Sequence, residues 1–319
     1  MNLLASMRYL VALNEHRHFG RAAQSCHITQ PALSNALRAL EQEFCVVIVQ
    51  RGRSYAGLTH EGERVLATAQ RMLREHEVLQ QELNSGADRP QGVLRIGAVP
   101  TAMPMVARFS ALLQARWPGI TPAVRSMSSP DIENELDAMS LDIGLGYTDR
   151  LGARGLRLEP LPQYTEHYYF VRRAADAPPG GFPDGRIRIG EHMPWKDAAQ
   201  HPLCMLTPEM HNRTIVDSAF AIAGEEVRPA IETNSIMTLT ISVEVGEVCS
   251  VLPGALLDAM RGYSMLEALP LVQPDVHTPI GFMTLAGVRP SRVLEAALSL
   301  AREEEWLRHA AAHSGDFDN

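Results

Sequence analysis

Apolar residues near the N-terminus recur at intervals of three and four, which is the period of an α-helix. This spacing predicts one helix from about Leu3 to Asn14 and a short second helix in FGRAAQSC. A third helix is predicted in ITQPALSNALRALEQEF, with Thr29 as its N-cap and Pro31 in its first turn. The next segment, CVVIVQRGRSYAGLT, carries β-branched residues around a basic tip and predicts a two-stranded wing.

The segment THEGERVLATAQRMLREHEVLQQELNSG predicts a long helix, capped by Thr59 and stopped by Gly86. Its apolar positions follow a heptad-like seam formed by Leu66, Ala69, Leu73, His76 and Leu83. A helix of this length with one apolar side is expected to pair with a second copy of the chain. The alternative is that this side packs on its own chain.

A polar stretch rich in Gly and Pro, residues 84–92, predicts a linker. Beyond it, short buried-strand patterns such as VLRIGAV and LDIGLGY alternate with helical stretches, which predicts a mostly parallel α/β sheet. The pattern recurs, so we expect two similar α/β halves with the chain crossing between them after about Thr148. The predicted domains are residues 1–58 (winged helix-turn-helix), 59–92 (linker helix and hinge) and 93–319 (two-lobed α/β domain).

Composition places the chain among globular proteins: 45% of its 319 residues are hydrophobic and 21% are charged. The net charge is −8, yet residues 1–58 hold six arginines and three glutamates and carry a net charge of +3. The four cysteines are scattered without a Cys-x-x-Cys pair, which argues against a disulfide framework and a zinc site. No apolar run reaches membrane-spanning length, so we expect a cytoplasmic protein with no membrane partner and no cofactor.

The third helix has the side chains that a DNA-recognition helix needs. Its apolar stripe is formed by Leu33, Ala36, Leu37 and Leu40. Its other side presents the predicted DNA contacts Thr29, Gln30, Pro31, Ser34, Asn35 and Arg38, and the wing adds Arg51 and Arg53. Gln and Asn bond adenine edges, Ser bonds phosphate, and Arg reaches phosphate or guanine. A capped amphipathic helix with a merely solvated face is the alternative, but the basic excess, the wing and the long pairing helix favour DNA binding.

The stretch FGRAAQSCHITQPALSNALRALEQEF, followed by LTHEGERVL, resembles the N-terminal domain of LysR-type transcriptional regulators. The Ala-Ala, Gln-Pro-Ala-Leu-Ser and Leu-Thr-x-x-Gly elements stand in register, and the later α/β region resembles that family's periplasmic-binding-protein-like effector domain. Two departures are Cys45, where members usually carry Gly, and Val49, where Phe is common.

The resemblance implies a winged helix-turn-helix that pairs through the linker helix, usually as a dimer of dimers (a homotetramer). Its partners would be double-stranded promoter DNA, a small-molecule inducer and, for an activator, RNA polymerase. The effector half, including GLGYTD and EHYYFVRR, is similar to regulators associated with formate dehydrogenase operons.

Ligands of open α/β sheets bind beyond the carboxyl ends of strands, where helix N-termini favour anions. The residues predicted there, which line the inducer pocket in the family, are Pro100, Thr101, Ser128, Ser129, Thr207, Asn234 and Ser235. Hydroxyl-rich lining without aromatic residues predicts a small polar ligand, which the resemblance to formate-associated regulators implies is formate-like, and His211 is a candidate to add positive charge. The alternative is that Thr101, Ser129 and Asn234 only cap their own helices.

Two other functions are weighed against an inducer-responsive regulator. An enzyme would need a catalytic motif, but GLGYTDRLG lacks the dinucleotide-binding spacing and HEGER is not a zinc-binding His-Glu-x-x-His. A thiol-based redox sensor of the same fold would need two neighbouring cysteines and a reactive thiolate. Cys204 and Cys249 fall in strand patterns typical of buried, inert thiols. We therefore expect no enzymatic activity.

Overall fold

The computed structural model describes residues 2–51, 55–84, 89–151, 157–178 and 180–315, except the side chains of Arg51, Glu82 and Asn84. The chain divides into two compact units. The first comprises Met1–Asp88 with Ala138–Ser140, and the second comprises Arg89–Asp137 with Leu141–Asn319. Within the described residues, no helix combines the length and the apolar character needed to cross a membrane.

The first unit consists of helices and one short antiparallel hairpin. In chain order they are α1 Leu3–His16, α2 Phe19–Ser25, α3 Gln30–Phe44, β1 Val49–Arg51, β2 Tyr55–Leu58 and α4 His60–Asn84. Each of the first three helices begins at a side chain that accepts a backbone N–H: Asn2, His18 and Thr29, respectively. The predicted helices, the Thr29 cap and the two-stranded wing are confirmed.

The apolar faces of α1, α2 and α3 meet in one core with the hairpin. Its fully buried members include Leu10, Leu13, Ala22, Leu33, Leu37, Leu40 and Ile48. The stripe predicted for α3 therefore faces inward, with Ala36 half-buried at its margin. Because this stripe is held by the core, the opposite face of α3 is left to solvent.

The long helix α4 begins where Thr59 accepts the N–H of Gly62 at 2.9 Å and donates its hydroxyl to the carbonyl of Val47. The first half of the helix packs on its own unit, where Leu66 and Ala69 are buried. These two positions were expected to face a second copy of the chain, and that expectation is wrong for them. They lie on the side that completes the core of the first unit.

The second half of α4 exposes an apolar row that shares only Leu83 with the predicted seam. Met72, Leu79 and Leu83 are 40%, 53% and 76% exposed and lie seven and four residues apart, on one face of the helix. We call this row the α4 stripe. The predicted stop at Gly86 lies outside the described residues.

The second unit contains two lobes, and each has its own sheet. The first lobe comprises β3 Gly92–Ala98, α5 Met103–Arg116, β4 Ile120–Ser126, α6 Ser129–Asp137, β5 Ile143–Tyr147, β6 Leu158–Glu166, β14 Thr278–Leu285, α11 Arg292–Arg302 and α12 Glu304–Ala312. Its strand order is β4-β3-β5-β14-β6, with β3 parallel to β4 and β5. A Cβ at Gly144 would lie 2.5 Å from the side chain of Ile132, so α6 rests directly on β5.

The second lobe comprises β7 Tyr168–Arg173, β8 Arg188–Ile189, β9 Met193–Pro194, α7 Trp195–Ala198, β10 Cys204–Leu206, α8 His211–Ile222, β11 Ile231–Thr233, α9 Ile236–Val245, β12 Ser250–Pro253, α10 Gly254–Ala259 and β13 Leu266–Val272. Its main strand order is β12-β7-β13-β8, with β9 also paired to β13. Along β7, Tyr168 and Phe170 enter one apolar cluster and Tyr169 and Val171 enter another, so both faces of the sheet are covered.

The chain crosses between the lobes later than expected. It remains in the first sheet through β6 and enters the second lobe between Glu166 and Tyr168, not after Thr148. It returns before Thr278, which pairs with Glu166. In the first sheet β4, β3, β5 and β6 run in one direction, and β14 runs antiparallel to its neighbours β5 and β6, so the sheet is mostly parallel, as predicted, with one reversed strand.

Candidate functional site

The exposed face of α3 carries the side chains predicted to contact DNA. Thr29, Gln30, Pro31, Asn35 and Arg38 are exposed, and Ser34 is half-buried. The guanidinium of Arg38 donates to the amide oxygen of Asn35 at 3.3 Å, so the two side chains lie together on this face. The arrangement is a row of donors and acceptors on a helix whose other side is fixed by the core.

The C-terminal end of α3 is tied to the wing by hydrogen bonds. One carboxylate oxygen of Glu41 accepts the N–H groups of Ile48 and Val49 at 3.0 and 3.2 Å. The link places the start of β1 at a defined position relative to α3. The side chain of Arg51 and the whole of Arg53 lie outside the described residues.

The second unit holds a small cavity between its lobes, with a volume of about 10 Å³. Its lining comprises Val99, Pro100, Thr101, Ser128, Ser129, Tyr147, Leu206, Met210, His211 and Asn212. The first lobe contributes the ends of β3 and β5 and the residues that follow β3 and β4. The second lobe contributes the end of β10 and the beginning of α8. The predicted residues Pro100, Thr101, Ser128 and Ser129 are thus brought together.

Two helical N-termini meet at this cavity, the first turn of α6 and the first turn of α8, and the 3₁₀ turn Pro100–Ala102 lies beside them. The first N–H groups of a helix have no partner within the helix, and the dipole makes this end electropositive. A cavity bounded by two such ends is therefore favourable for negative charge.

Ser128, and not Ser129, caps α6. The Ser128 hydroxyl accepts the N–H of Asp131 at 3.3 Å and donates to the carboxylate of that residue at 2.6 Å. Ser129 is the first residue of the helix and is 3% exposed. Its hydroxyl oxygen is buried without a hydrogen-bond partner among the described residues. The expectation that Ser129 is an N-cap is therefore wrong, and its hydroxyl is free to bind a ligand in the cavity.

A buried hydrogen-bonded cluster forms one wall of the cavity and is centred on the hydroxyl of Tyr147. This hydroxyl lies 2.9 Å from the hydroxyl of Thr101, accepts the amide N–H of Asn212 at 3.3 Å, and donates to the carboxyl of Glu166 at 3.3 Å. Asn212 belongs to the second lobe and Thr101 and Tyr147 to the first, so the cluster bridges the two lobes.

Glu166 lies behind Tyr147 and is completely buried, at the point where the chain leaves the first lobe. Burial raises its pKa to about 8, although hydrogen bonds from Tyr147 and Thr101 act in the opposite direction. Its second carboxyl oxygen has no hydrogen-bond partner among the described residues. Burial also raises the pKa of the Tyr147 and Tyr164 hydroxyls, which therefore stay protonated.

Two family models match the chain. Residues 4–63 match the bacterial regulatory helix-turn-helix protein of the lysR family, and residues 87–306 match the LysR substrate binding domain. The chain belongs to the LysR family. It is a DNA-binding transcriptional regulator and not an enzyme, and the resemblance of the N-terminal motif is confirmed.

Individual LysR-family proteins are similar over nearly the whole length. The DNA-binding transcriptional dual regulator OxyR of Escherichia coli strain K12 is 26% identical over 294 residues, which cover 89% of this chain and 90% of that protein. A full-length OxyR variant from Pseudomonas aeruginosa superposes with a TM-score of 0.67 at 23% identity, over 93% and 96% of the two chains. Full-length CbnR bound to its target DNA superposes with a TM-score of 0.65 at 20% identity, over 97% and 99%. These structures share the fold.

The remaining residues predicted for the effector site of this LysR-family protein do not line the cavity. Thr207 donates its hydroxyl to Glu209 at 2.7 Å. Asn234 is exposed, and Ser235 caps α9 by accepting the N–H of Thr238 at 3.3 Å. For Ser235, the capping role is therefore the one that the hydrogen bonds support.

His211 lines the cavity but does not supply a positive charge at neutral pH. Burial and the nearby charge of Arg150 lower its pKa. Its ring meets the ring of Tyr147 edge-on, with centroids 5.0 Å apart. Arg213, one residue beyond Asn212, is bound to the carboxylates of Asp217 and Glu232. Hydroxyl, amide and backbone N–H groups therefore supply the donors of the cavity.

Sequence reasoning missed Tyr147, Asn212 and Glu166. Tyr147 ends β5, so the rule that ligands bind at the carboxyl ends of strands points to it. Asn212 stands in the first turn of α8, where the same rule applies to helix N-termini. The stretch around Glu166 gave no comparable signal because its burial depends on which strands and helices surround it.

The cysteines of this regulator are not arranged as a redox pair. The N–H of Cys204, at the start of β10, donates to the carbonyl of Cys249, the residue before β12, at 2.8 Å, so the two residues lie side by side. Their side chains nevertheless enter different apolar clusters. Burial raises the pKa of Cys204 and raises that of Cys249 to about 11, which disfavours the reactive thiolate. Among the described residues, no group of three His, Cys, Asp or Glu side chains could hold a metal ion.

Proposed function

We propose that this LysR-family regulator reads promoter DNA with α3 and responds to a small anion bound in the cavity between its lobes. The observation that supports the anion most directly is the buried, unpaired hydroxyl of Ser129 beside two helical N-termini. A buried donor without a partner is costly, and a bound acceptor would satisfy it.

The size of the cavity favours a small ligand. Its volume of about 10 Å³, room for roughly one water molecule, is far below the range of about 300–1,000 Å³ that is typical of sites for drug-sized molecules. A formate-like carboxylate or another small oxyanion needs only a small widening of the cavity, whereas a large aromatic acid would have to separate the lobes. Tyr147 is an aromatic lining residue that the sequence interpretation did not include, but it presents its hydroxyl to the polar cluster.

Contacts with DNA are assigned to the exposed face of α3 and to the wing. Gln30 and Asn35 have the amide groups that recognise adenine, Pro31 offers apolar contact to a thymine methyl, and Arg38 reaches guanine or phosphate. Thr29 and Ser34 are assigned to the phosphate backbone, as are Arg51 and Arg53 of the wing. Two copies of this helix are needed to read an interrupted palindrome, which fits a dimer.

The assembly proposed is a homodimer through α4, with two dimers forming a homotetramer in the cytoplasm. The α4 stripe supports the dimer, because three exposed apolar residues on one helix face are otherwise left against water. Contact with RNA polymerase is part of the proposal only if the protein activates transcription.

The DNA assignment is tested by the salt dependence of binding. A promoter fragment is first selected by the full-length protein from a random pool, and its affinity is then measured between low and moderate salt. We expect Arg38→Ala to weaken binding and, if Arg38 contacts phosphate, to reduce the slope of log K against log salt by about one. Arg292→Ala, an exposed arginine of the second unit, makes the same charge change and should leave the slope unaltered. Equal slopes for wild type and Arg38→Ala, with equal affinity, would remove Arg38 from the interface.

The anion assignment is tested by melting temperature against formate, acetate, oxalate, cyanate, sulfate, nitrate and larger aromatic acids. A ligand that binds only the folded state raises the melting temperature in a saturable way. Ser129→Ala should abolish this shift without destabilising the ligand-free protein, because the hydroxyl that it removes is unpaired.

Ser235→Ala provides the opposite pattern as a control. It removes the cap of α9 and should lower the melting temperature of the ligand-free protein, yet leave the anion-induced shift intact. No shift with any anion, or a shift with aromatic acids alone, would refute the small-anion site and leave the DNA assignment standing.

A second candidate signal is oxidation, because OxyR relatives include proteins named hydrogen peroxide-inducible genes activator. In this chain the raised pKa values of Cys204 and Cys249 and the separation of their side chains weigh against it. We therefore place the anion first.

A further inference from the structure

Glu166, Tyr147 and Thr101 form a hydrogen-bonded cluster at the wall of the cavity, in which Thr101 contacts both Tyr147 and Glu166. The carboxyl of Glu166 is 3.3 Å from the Tyr147 hydroxyl, which is 2.9 Å from the Thr101 hydroxyl. Thr101 is fully buried and lines the cavity. The direction of each hydrogen bond in this cluster depends on the protonation of Glu166.

The Tyr147 oxygen has one proton to donate and two lone pairs to accept with. One lone pair is always occupied, because the amide N–H of Asn212 can only donate to it. The other lone pair and the proton are shared between Glu166 and Thr101. Two arrangements of these protons differ in what Thr101 presents to the cavity.

In the first arrangement, Glu166 is ionised and can only accept. Tyr147 then donates its proton to Glu166 and accepts from the hydroxyl of Thr101. Because Thr101 has a single proton and uses it toward Tyr147, it presents only lone pairs to the cavity. An anion in the cavity then faces the lone pairs of Thr101, with the negative charge of Glu166 behind them, and both repel it.

In the second arrangement, Glu166 is protonated and donates its O–H to Tyr147. Tyr147 in turn donates to Thr101, whose own proton is released to point into the cavity. An anion now meets a donor on this wall and no charge behind it. The proton on Glu166 therefore reverses the hydrogen-bonding character of Thr101 without moving any heavy atom.

We propose that the cavity binds its anion together with one proton, which is held on Glu166 and turns the Thr101 hydroxyl toward the ligand. The inference rests on the proposed function and adds the form in which the ligand is bound. Binding therefore adds no net charge to the site: the anion occupies the cavity and the proton is held by the buried carboxyl of Glu166. Glu166 acts as a positioning residue through Tyr147 and Thr101.

The groups around Glu166 allow it to hold a proton near neutral pH. Tyr147 on β5, Tyr164 on β6 and Tyr168 on β7 face it with hydroxyls whose pKa values are raised, so none of them ionises in this range. Thr278 on β14 pairs with it in the sheet. Further titratable groups around this cluster are Asp149, the largely neutral His211, and His167, which follows Glu166 in the chain and packs on His277. Desolvation raises the pKa of Glu166 itself.

The test measures formate binding to the full-length protein by titration calorimetry at pH 7 and pH 9, where formate stays ionised. Only the fraction of protein with a protonated Glu166 is competent, so the apparent Kd of the wild type should rise about tenfold over this interval. At pH 9, runs in buffers of different ionisation enthalpy should show that about one proton is taken up with each anion.

Glu166→Gln is the informative variant, because an amide N–H can donate to Tyr147 at any pH. It should bind formate with a Kd that is equal at pH 7 and pH 9 and with no proton uptake. Glu159→Gln, an exposed carboxyl on the same strand, should keep the dependence of the wild type. Circular dichroism checks that both variants fold.

The outcomes separate the two proposals. Formate binding by the wild type that is equally tight at both pH values, or a Glu166→Gln variant that still weakens tenfold, overturns the proton-coupled site and leaves the anion site standing. Failure of the wild type to bind formate or any other small anion at either pH overturns both.

Discussion

Gly62 lies so close to the backbone of Ile48 that there is no room for a Cβ atom, so only glycine fits at this position. A Cβ there would lie 2.2 Å from the backbone carbonyl oxygen of Ile48, which cannot swing aside as a flexible side chain would. This contact gives a physical reason for the glycine in the Leu-Thr-x-x-Gly motif, since it lets the first turn of α4 rest on the strand that begins the wing.

We expect Gly62→Ala to lower the free energy of unfolding of the first unit by about 1–3 kcal/mol, the usual cost of overpacking. Urea denaturation followed by circular dichroism measures the change. Gly262→Ala is the control, because nothing lies within 4 Å of a Cβ built there. Unchanged stability in Gly62→Ala would mean that the contact relaxes without cost.

Glu166 predicts how stability depends on pH. Its pKa rises from 4.5 to about 8 on folding, so the folded protein holds this proton more tightly than the unfolded chain. The resulting stabilisation is fully present below about pH 4.5 and is lost as the pH rises toward 8. Glu166→Gln cannot ionise, so its stability relative to the wild type should grow between pH 5 and pH 9, by about 4 kcal/mol. Urea denaturation of both proteins at each pH measures this difference. A difference in the free energy of unfolding that stays constant from pH 5 to pH 9 would contradict the prediction.

Of the site residues that the sequence analysis missed, Tyr147 could have been predicted from the sequence and Glu166 could not. Tyr147 is within reach of a sequence argument, because it ends a clear strand pattern and strand ends build ligand sites. Glu166 is not, because a glutamate in a polar stretch is normally exposed. Its burial follows from pairing with Thr278, more than a hundred residues away in the chain. A pairing between residues so far apart produces no recognisable pattern in the sequence around Glu166.

At the scale of elements, local signals decided which segments were predictable. Helix α3 was predicted with its cap and its buried stripe because Thr29, Pro31 and the leucine spacing are all local features. Strand β6 was not predicted, since LEPLPQYTE contains two prolines and prolines disfavour strands. The sheet tolerates them because β6 lies at its edge, next to β14 alone. The later crossing between the lobes follows from this strand.

The α4 stripe leads to a prediction about assembly. A charge placed in an apolar contact between two copies must be desolvated, so Leu79→Glu should shift the full-length protein toward monomers. Analytical ultracentrifugation over a range of concentrations measures the shift. Gln80→Glu adds the same charge at an exposed position off the stripe and should leave assembly unchanged. If Leu79→Glu sediments like the wild type, the stripe does not form the dimer contact.

At the scale of the whole molecule, the chain combines a DNA-reading unit with a ligand-binding unit, and the question is which signal the second unit receives. Its two cysteines lie side by side but enter apolar clusters on different sides of the sheet. A disulfide requires the two Cβ atoms to approach within about 4.5 Å and to face each other, which this arrangement opposes. The cavity, in contrast, already has its donors in place.

A variant without cysteines decides between the two signals. We expect Cys26→Ser, Cys45→Ser, Cys204→Ala and Cys249→Ala together to keep both DNA binding and its response to the anion, because raised pKa values leave the two buried thiols unreactive. Gel-shift affinity with and without formate measures this, and hydrogen peroxide is then added to the wild type. DNA binding that changes with peroxide in the wild type but not in the variant would establish thiol sensing instead. Cys45, which is exposed at the end of α3, would then be the first residue to restore.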